Sequence, residues 1–583
     1  MNNLFPLSAA DLYKPGHAKM YHPKTEVIFS NFTPRGDKYF QHYAPNAPKG
    51  VIVAGVQRMI HFVLVDMWED FFRMDEDKAV TKFKRRMDGS LGENVVDTKG
   101  VRQLHKLGYL PVEFRSQDEG VLSPLKVPVF TIHNTHPDFA WLTNYLETVI
   151  SAESWKTFTS ATTAFNFRLL AEEWANKTCD NKDHIPFQMH DFSLRGLSCI
   201  EDGYKSGIGH LFSFMGTDNI PAIESIEYHY PTEAIKQGAT LSAFSVPATE
   251  HSVSTTNINK NISDVSESIN GKSGHGMNQD DSRFWGEVKF LKHYLTEIVP
   301  TGIASYVADS YDYYRIISEA SKELKDVIMS REGKLVFRPD TGKPEDVVCG
   351  IPFVEEDNLK ELLSGKHYKD QGTIPKVIKT EKGYFSLHLI WSSEDTECEA
   401  YVYGNEIPEA EVKGSIEILW EIFGGTTNSK GYKELDPHVG LIYGDSINMN
   451  RAQEIFKRLE EKGFACNNIV FGVGSYVMQM CTRDTFGFAM KATGTIIDGK
   501  SIPVSKDPKG DSGKKSANGF LKVVESDGTL SLVESDSLSV VDDEDNTLKL
   551  RFRDGMFFNQ TNIDVIRANV TKEVDKAIGQ ENK

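Results

Sequence analysis

Between about residue 150 and residue 480 the chain alternates helical patterns with short apolar stretches that end in polar or glycine-containing turns. The runs at 302–308, 334–337, 439–443 and 468–471 end at Asp309, Arg338, Gly444 and Gly472 respectively. A run beginning at Ile223 is read the same way. Strand–loop–helix repetition restricts the chain to an α/β architecture with a parallel sheet. In such folds the reactive side chains sit just beyond the strand ends. Periodicity alone leaves a barrel and an open sheet both possible.

The flanking segments read differently. The first 150 or so residues mix short strands (27–32 and 129–133) with helical patterns such as 141–152. After Lys491, three Asp-Gly pairs, Asp498-Gly499, Asp527-Gly528 and Asp554-Gly555, sit between apolar runs and predict hairpins with tight turns. A helix over 563–578 follows. The expected organisation is a parallel, incomplete-barrel-like α/β core over 151–484. A second, mixed β-rich domain is built from 1–150 together with 485–583. Two stretches read as insertions, a polar one at 257–283 and another at about 349–413. The second carries alternating runs at 376–379, 384–391 and 397–403 that predict a small antiparallel unit on the surface.

Composition narrows the function. A net charge of −18 disfavours a large nucleic-acid footprint, although a few convergent cations can still hold a small anion. No apolar run approaches the ~20 residues of a membrane span, and 1–10 lacks the layout of a secretory leader. The six cysteines form no CxxC pair and show no metal-ligand spacing. Reduced thiols in a cytoplasmic enzyme are therefore expected.

Acids, bases and glycines cluster at the expected strand ends. The patches are His190-Asp191-Phe192-Ser193-Leu194-Arg195-Gly196, Gly216-Thr217-Asp218, Ser245 to Ser252, Asp309-Ser310-Tyr311-Asp312 and Arg338-Pro339-Asp340-Thr341-Gly342. Tyr443-Gly444-Asp445-Ser446, Gly472-Val473-Gly474-Ser475, Thr482-Arg483-Asp484 and Ser505-Lys506-Asp507-Pro508 follow. Taken singly, each has a plainer explanation. Gly-Thr-Asp is usually a helix cap, a lone phenylalanine is usually core, and a Gly-x-Gly is usually a tight turn. In combination and in this order they resemble the nicotinamide phosphoribosyltransferase family. The likeness starts at Asp11-Leu12-Tyr13-Lys14, continues through 134–148 and reaches Lys514-Lys515-Ser516.

That resemblance implies the following roles. Phe192, and Tyr13 from a partner subunit, sandwich the flat nicotinamide ring. Arg195, Ser245 and Arg338 line the same pocket, and Asp218 accepts a hydrogen bond from the carboxamide while repelling nicotinate. Asp309 and Asp340 handle Mg²⁺ and the ribose of phosphoribosyl pyrophosphate. Ser305, Gly444 and Asp445 border the ribose. The turn through Gly474 and Ser475 offers N–H groups to the 5′-phosphate, although Ser475-Tyr476 stands where the family is richer in glycine. Arg35, Arg483, Lys491, Lys506 and Lys514 are further phosphate-holding cations. His251 is the residue phosphorylated by ATP, with Glu250 orienting its ring. The implied protein is a cytoplasmic homodimer with shared sites, making nicotinamide mononucleotide for NAD biosynthesis.

Three rivals carry different signatures. A nicotinate-specific enzyme should have a neutral or basic residue in place of Asp218. A silent binding protein would not need His251, Asp309 and Asp340 together. An unrelated barrel enzyme would not need Tyr13 and Phe192 as a pair.

Overall fold

The computed structural model describes residues 5–40, 49–269, 278–359, 376–391, 398–505 and 517–581. Its contacts divide the chain into two compact units. The first comprises Met1–Leu169, Ser193–Phe244 and Met478–Lys583, and the second comprises Leu170–Phe192 and Ser245–Val477.

The second unit carries the parallel α/β core. Its strands are β1 (Met189–Asp191), β2 (Gly302–Val307), β3 (Gly333–Arg338), β4 (Val439–Tyr443) and β5 (Ile469–Val473). They lie side by side in the order β1-β5-β4-β3-β2, with every pairing parallel. A parallel bridge from Ala248 to Ser305 extends the arc beyond β2. Ala304, Tyr306 and Val307 of β2, Leu335 and Phe337 of β3 and Phe471 of β5 are buried. This matches the covered faces that a parallel sheet requires. The helix Met449–Glu461 connects β4 to β5, capped by the Asn448 side chain on the Arg451 N–H.

The insertion at 257–283 falls within a helical pair, His251–Ile269 and Gln279–His293. The two helices approach closely because Gly286 lies against Ile258, where a Cβ would sit 3.0 Å from the Ile258 carbonyl. The insertion at 349–413 contains Val377–Thr380, Gly383–Trp391 and Cys398–Ile407 as an antiparallel meander, with Phe353–Glu355 added in parallel at one edge.

In the first unit a seven-stranded antiparallel sheet runs in the order 500–503, 489–497, 25–33, 130–134, 112–116, 549–553 and 556–557. N- and C-terminal segments therefore interleave in one sheet. All three Asp-Gly turns form, with both residues at positive φ: 52° and 68° at Asp498-Gly499, 51° and 73° at Asp527-Gly528, and 50° and 84° at Asp554-Gly555. These left-handed pairs match the right-handed twist of the flanking strands.

The segment Ser193–Phe244, expected within the α/β segment, clusters instead with the terminal unit. Ile208, Leu211, Phe212 and Ile226 share a core with Ile563, Ile566, Val570 and Val574 of the helix Ile563–Glu581. Arg567 of that helix donates to the carbonyls of Leu211 at 3.0 Å and Ser242 at 2.8 Å. The run at Ile223, read as a strand, is part of the helix Ile220–His229. Asn219 caps that helix and Pro221 sits in its first turn, two start signals that outweigh a short apolar run. Among the described residues, no helix is long and apolar enough to cross a membrane.

Candidate active site

Within the second unit the ends of the parallel strands deliver most of the expected residues. Asp309, just beyond β2, is their hub. Its side chain is only 2% exposed. Its Oδ1 lies 2.9 Å from His251 Nε2. Its Oδ2 accepts from the Asp340 N–H at 2.9 Å and from the Thr341 hydroxyl at 3.0 Å. One carboxylate thus ties the turn after β3 to the first residue of the helix His251–Ile269. It also holds the imidazole, which is 46% exposed, in a defined orientation.

Glu250 does not orient that ring. Its carboxylate accepts instead from the Ser252 hydroxyl, a local pairing that faces away from the role expected of it. The partner of His251 is the acid 58 residues further along the chain.

Arg338 ends β3 and donates from Nη2 to the Thr249 carbonyl at 2.8 Å, bracing the 245–250 segment. That segment is further fixed on β2, where the Ser305 N–H donates to the Pro247 carbonyl at 2.9 Å. Ser305 itself is buried within the strand, upstream of the turn, and Ser245 is exposed at the start of the segment.

Tyr443, the last residue of β4, donates its hydroxyl to the Gly342 carbonyl at 3.0 Å and also approaches the Thr341 carbonyl. Burial raises the pKa of this hydroxyl, and the carboxylates of Asp445, Asp340 and Asp309 raise it further. Those three acids therefore converge on one place. Asp340 and Asp445 are exposed there, while Asp309 is enclosed.

Phe192 follows β1, and its N–H donates to the Val473 carbonyl at 3.0 Å. Its ring lies over two glycines. A Cβ on Gly472 would fall 2.6 Å from Phe192 Cε2 and 2.7 Å from the Gly444 Cα, and one on Gly444 would fall 3.1 Å from Phe192 Cδ2. Glycine at both positions is what lets the ring pack directly against the backbone at the ends of β4 and β5. A Cβ on Gly474 would meet nothing within 4 Å, so open space lies beside the turn that leads to Ser475.

A cavity of about 830 Å³ opens beside the Asp309 and Asp340 turns. Its walls include Ser310, Tyr311, Thr341 and Gly342, with Arg283, Arg315 and Lys343 supplying positive charge. Arg315 lies over Phe284 at 4.1 Å and Arg283 over Tyr311 at 4.7 Å. Glu287, also in the wall, receives the Tyr306 hydroxyl at 3.1 Å. Burial pushes the Glu287 carboxyl up to about 8, opposed by that hydrogen bond and reinforced by Asp309 and Asp312. None of these four charged residues was expected at the site. Arg283 lay in a stretch read as insertion, and Glu287, Arg315 and Lys343 belong to no motif.

The first unit carries the remaining candidates. Arg35 donates from Nε to the Gly487 carbonyl at 2.7 Å, and its N–H meets the Phe486 carbonyl. The Arg483 carbonyl accepts from the Phe488 N–H, so one loop holds both arginines. Lys491 is paired with Asn31 in the large sheet. Asp218 is exposed between Gly216–Thr217 and the helix Ile220–His229, and Arg195 is exposed on a short turn. Tyr13 is 60% exposed beside His17. Lys506 and Lys514 lie outside the described residues.

Residues 187–555 match the model of the Nicotinate phosphoribosyltransferase (NAPRTase) family, well over half of the chain. The chain belongs to that family. A nicotinamide phosphoribosyltransferase from Acinetobacter baylyi is 36% identical over 98% of this chain and 98% of its own length. One from Xanthomonas campestris pv. campestris is 26% identical over 96% of each. Among solved structures, human nicotinic acid phosphoribosyltransferase superposes with a TM-score of 0.51, covering 97% of this chain and 93% of that one at 13% identity. That likeness establishes the shared fold. In this family setting, the strand-end cluster around Asp309 is the candidate catalytic centre.

Proposed function

We propose that this chain is a nicotinamide phosphoribosyltransferase, joining nicotinamide to the ribose of phosphoribosyl pyrophosphate with release of pyrophosphate. The observation that carries the reading is the Asp309 hub, which ties His251, the Asp340 turn and β2 into one unit of structure. Support for nicotinamide over nicotinate comes from the relatives, which are nicotinamide phosphoribosyltransferases. It comes also from the carboxylate of Asp218, which suits an amide N–H and repels a second carboxylate.

Phe192, seated on Gly444 and Gly472, offers a fixed aromatic face to the base. In a homodimer, Tyr13 of the second subunit would cover the other face. Light scattering that read a single-chain mass would contradict that arrangement. The donors beside Tyr443 suit Mg²⁺, which keeps several waters and binds through one or two carboxylates plus substrate phosphates. Asp340 and Asp445 are the exposed acids there. Asp309, with three hydrogen bonds already accepted, holds the Asp340 turn in place more than it offers itself. When bound, the ion would neutralise charge on the departing pyrophosphate. Arg338, Arg35, Arg483, Lys491, Lys506 and Lys514 supply cations for the phosphates, and Gly474 and Ser475 supply N–H groups.

ATP enters through His251. With Nε2–H donated to Asp309, the ring lone pair lies on Nδ1. Nδ1 attacks the γ-phosphorus, the bond to ADP breaks, and ADP leaves with those electrons. Later hydrolysis of the phosphohistidine returns the ring to its starting state.

The test is product analysis with nicotinamide and nicotinate in parallel, for the wild type and Asp218→Ser. The wild type should make nicotinamide mononucleotide and strongly prefer the amide. Losing one hydrogen bond to a charged acceptor is worth ~1.5–3 kcal/mol, so the variant should lose roughly tenfold or more in kcat/KM for nicotinamide. Wild-type preference for nicotinate would overturn the assignment.

A further inference from the structure

Cys179 and His184 lie close together in the sequence and Cys466 follows more than 280 residues later; the three belong to no part of the site above, yet their side chains meet in the second unit. Their donor atoms all lie within 4.8 Å of one another. Cys179 Sγ and Cys466 Sγ are 3.5 Å apart, and Cys466 Sγ is 3.9 Å from His184 Nε2. A tetrahedral zinc ion with Zn–S bonds of ~2.3 Å and Zn–N bonds of ~2.0–2.1 Å has S···S edges of ~3.8 Å and S···N edges of ~3.5 Å. The two edges that meet at Cys466 agree with those lengths to within a few tenths of an ångström, and the third, between Cys179 and His184, is within 4.8 Å, so side-chain movement alone would let the three close on an ion.

The backbone around the three residues is already fixed. Cys179 directly follows the helix Glu147–Thr178, His184 precedes the short helix Ile185–Gln188, and Cys466 opens the turn Cys466–Asn468 that runs into β5. The Cys466 N–H donates to the Thr178 hydroxyl at 3.0 Å, and Gln188 Nε2 donates to the Cys466 carbonyl at 2.8 Å. Both cysteines are buried and His184 is half-buried. The two sulfurs and one imidazole therefore form one enclosed corner, with the histidine on its more open side.

We propose that Cys179, His184 and Cys466 bind a borderline-soft divalent cation, Zn²⁺ by preference, with a water molecule as fourth ligand. Sulfur and imidazole donors select such an ion over Mg²⁺, which favours oxygen. Binding requires both thiols to lose their protons to solvent, so it releases protons and weakens in acid. The role is structural. The ion would clamp the end of the long helix to the start of β5, at the opposite end of that strand from Gly474 and Ser475.

The experiment is metal analysis of the whole protein. It is kept reduced, incubated with Zn²⁺ or Co²⁺ and freed of excess ion by gel filtration. About one ion per chain should remain in the wild type and in His251→Ala. The ion count should fall to under roughly a tenth in Cys466→Ser, which removes one of the two thiolates among only three protein ligands. Co²⁺ should give the intense near-ultraviolet thiolate-to-metal absorption, which needs no variant to fold. Absence of that band in reduced wild type would overturn the proposal. So would a thiol count two short in the unreduced, denatured protein, since it would mean that Cys179 and Cys466 pair as a disulfide instead.

Discussion

Replacing Asp309 by asparagine keeps the shape of the hub and removes its charge, so its consequences can be worked from the three bonds it accepts. An amide has one acceptor oxygen and one NH₂ donor. The Asp340 N–H and the Thr341 hydroxyl both donate to Oδ2, and they would claim the amide oxygen. The NH₂ group then faces His251 Nε2, which must become an acceptor. That moves the ring proton to Nδ1 and removes the lone pair that receives the phosphoryl group. Losing the charge-assisted bond alone is worth ~1.5–3 kcal/mol, a factor of about 10–150, and a wrong tautomer can cost more. Initial rates of nicotinamide mononucleotide formation should therefore lose most of their ATP-dependent part in Asp309→Asn, while the fold persists. In a double-mutant cycle with His251→Ala, the second substitution should add little to the loss of ATP stimulation. An Asp309→Asn enzyme that keeps its ATP stimulation within about twofold, or whose loss adds fully to that of His251→Ala, would refute the reasoning.

Two other substitutions probe the surroundings. Gly472→Ala places a methyl group 2.6 Å from Phe192 Cε2 and should displace the ring at a cost of ~1–3 kcal/mol. The KM for nicotinamide should rise several-fold with little change for phosphoribosyl pyrophosphate, and an unchanged nicotinamide KM would contradict the seat. Glu287 titrates at about 8 in the fold against 4.5 unperturbed, so the folded state binds the extra proton between those values. Its contribution to stability is complete below about pH 4.5 and is lost as pH rises through about 8, by at most roughly 5 kcal/mol. Denaturant titrations should show Glu287→Gln abolishing that part of the decline, and identical pH profiles for both proteins would exclude it.

Features with local causes were legible in the sequence. The strands ending at Asp309, Arg338 and Gly444 appear within a residue or two of their expected limits, because apolar runs closed by polar turns are a short-range signal. The three Asp-Gly hairpins follow from backbone conformations that few other residues tolerate. What stayed hidden was set by distant partners. The orientation of His251 comes from an acid 58 residues away, and its neighbour Glu250 gave the wrong local suggestion. The allegiance of Ser193–Phe244 depends on a helix more than 300 residues downstream. Cysteine spacing could not show that Cys179 and Cys466, 287 residues apart, would face each other. The glycines under Phe192 read as turn residues, although their small size serves the ring they carry.

The most direct test of the account couples the two substrates at the hub. Purified wild type and His251→Ala are each given nicotinamide, phosphoribosyl pyrophosphate and Mg²⁺, with and without ATP, and nicotinamide mononucleotide is followed over time. The account predicts product in the wild type without ATP, and a marked gain with it that vanishes in His251→Ala while a slow basal reaction remains. No mononucleotide from the wild type under any condition, or an undiminished ATP gain in His251→Ala, would contradict it.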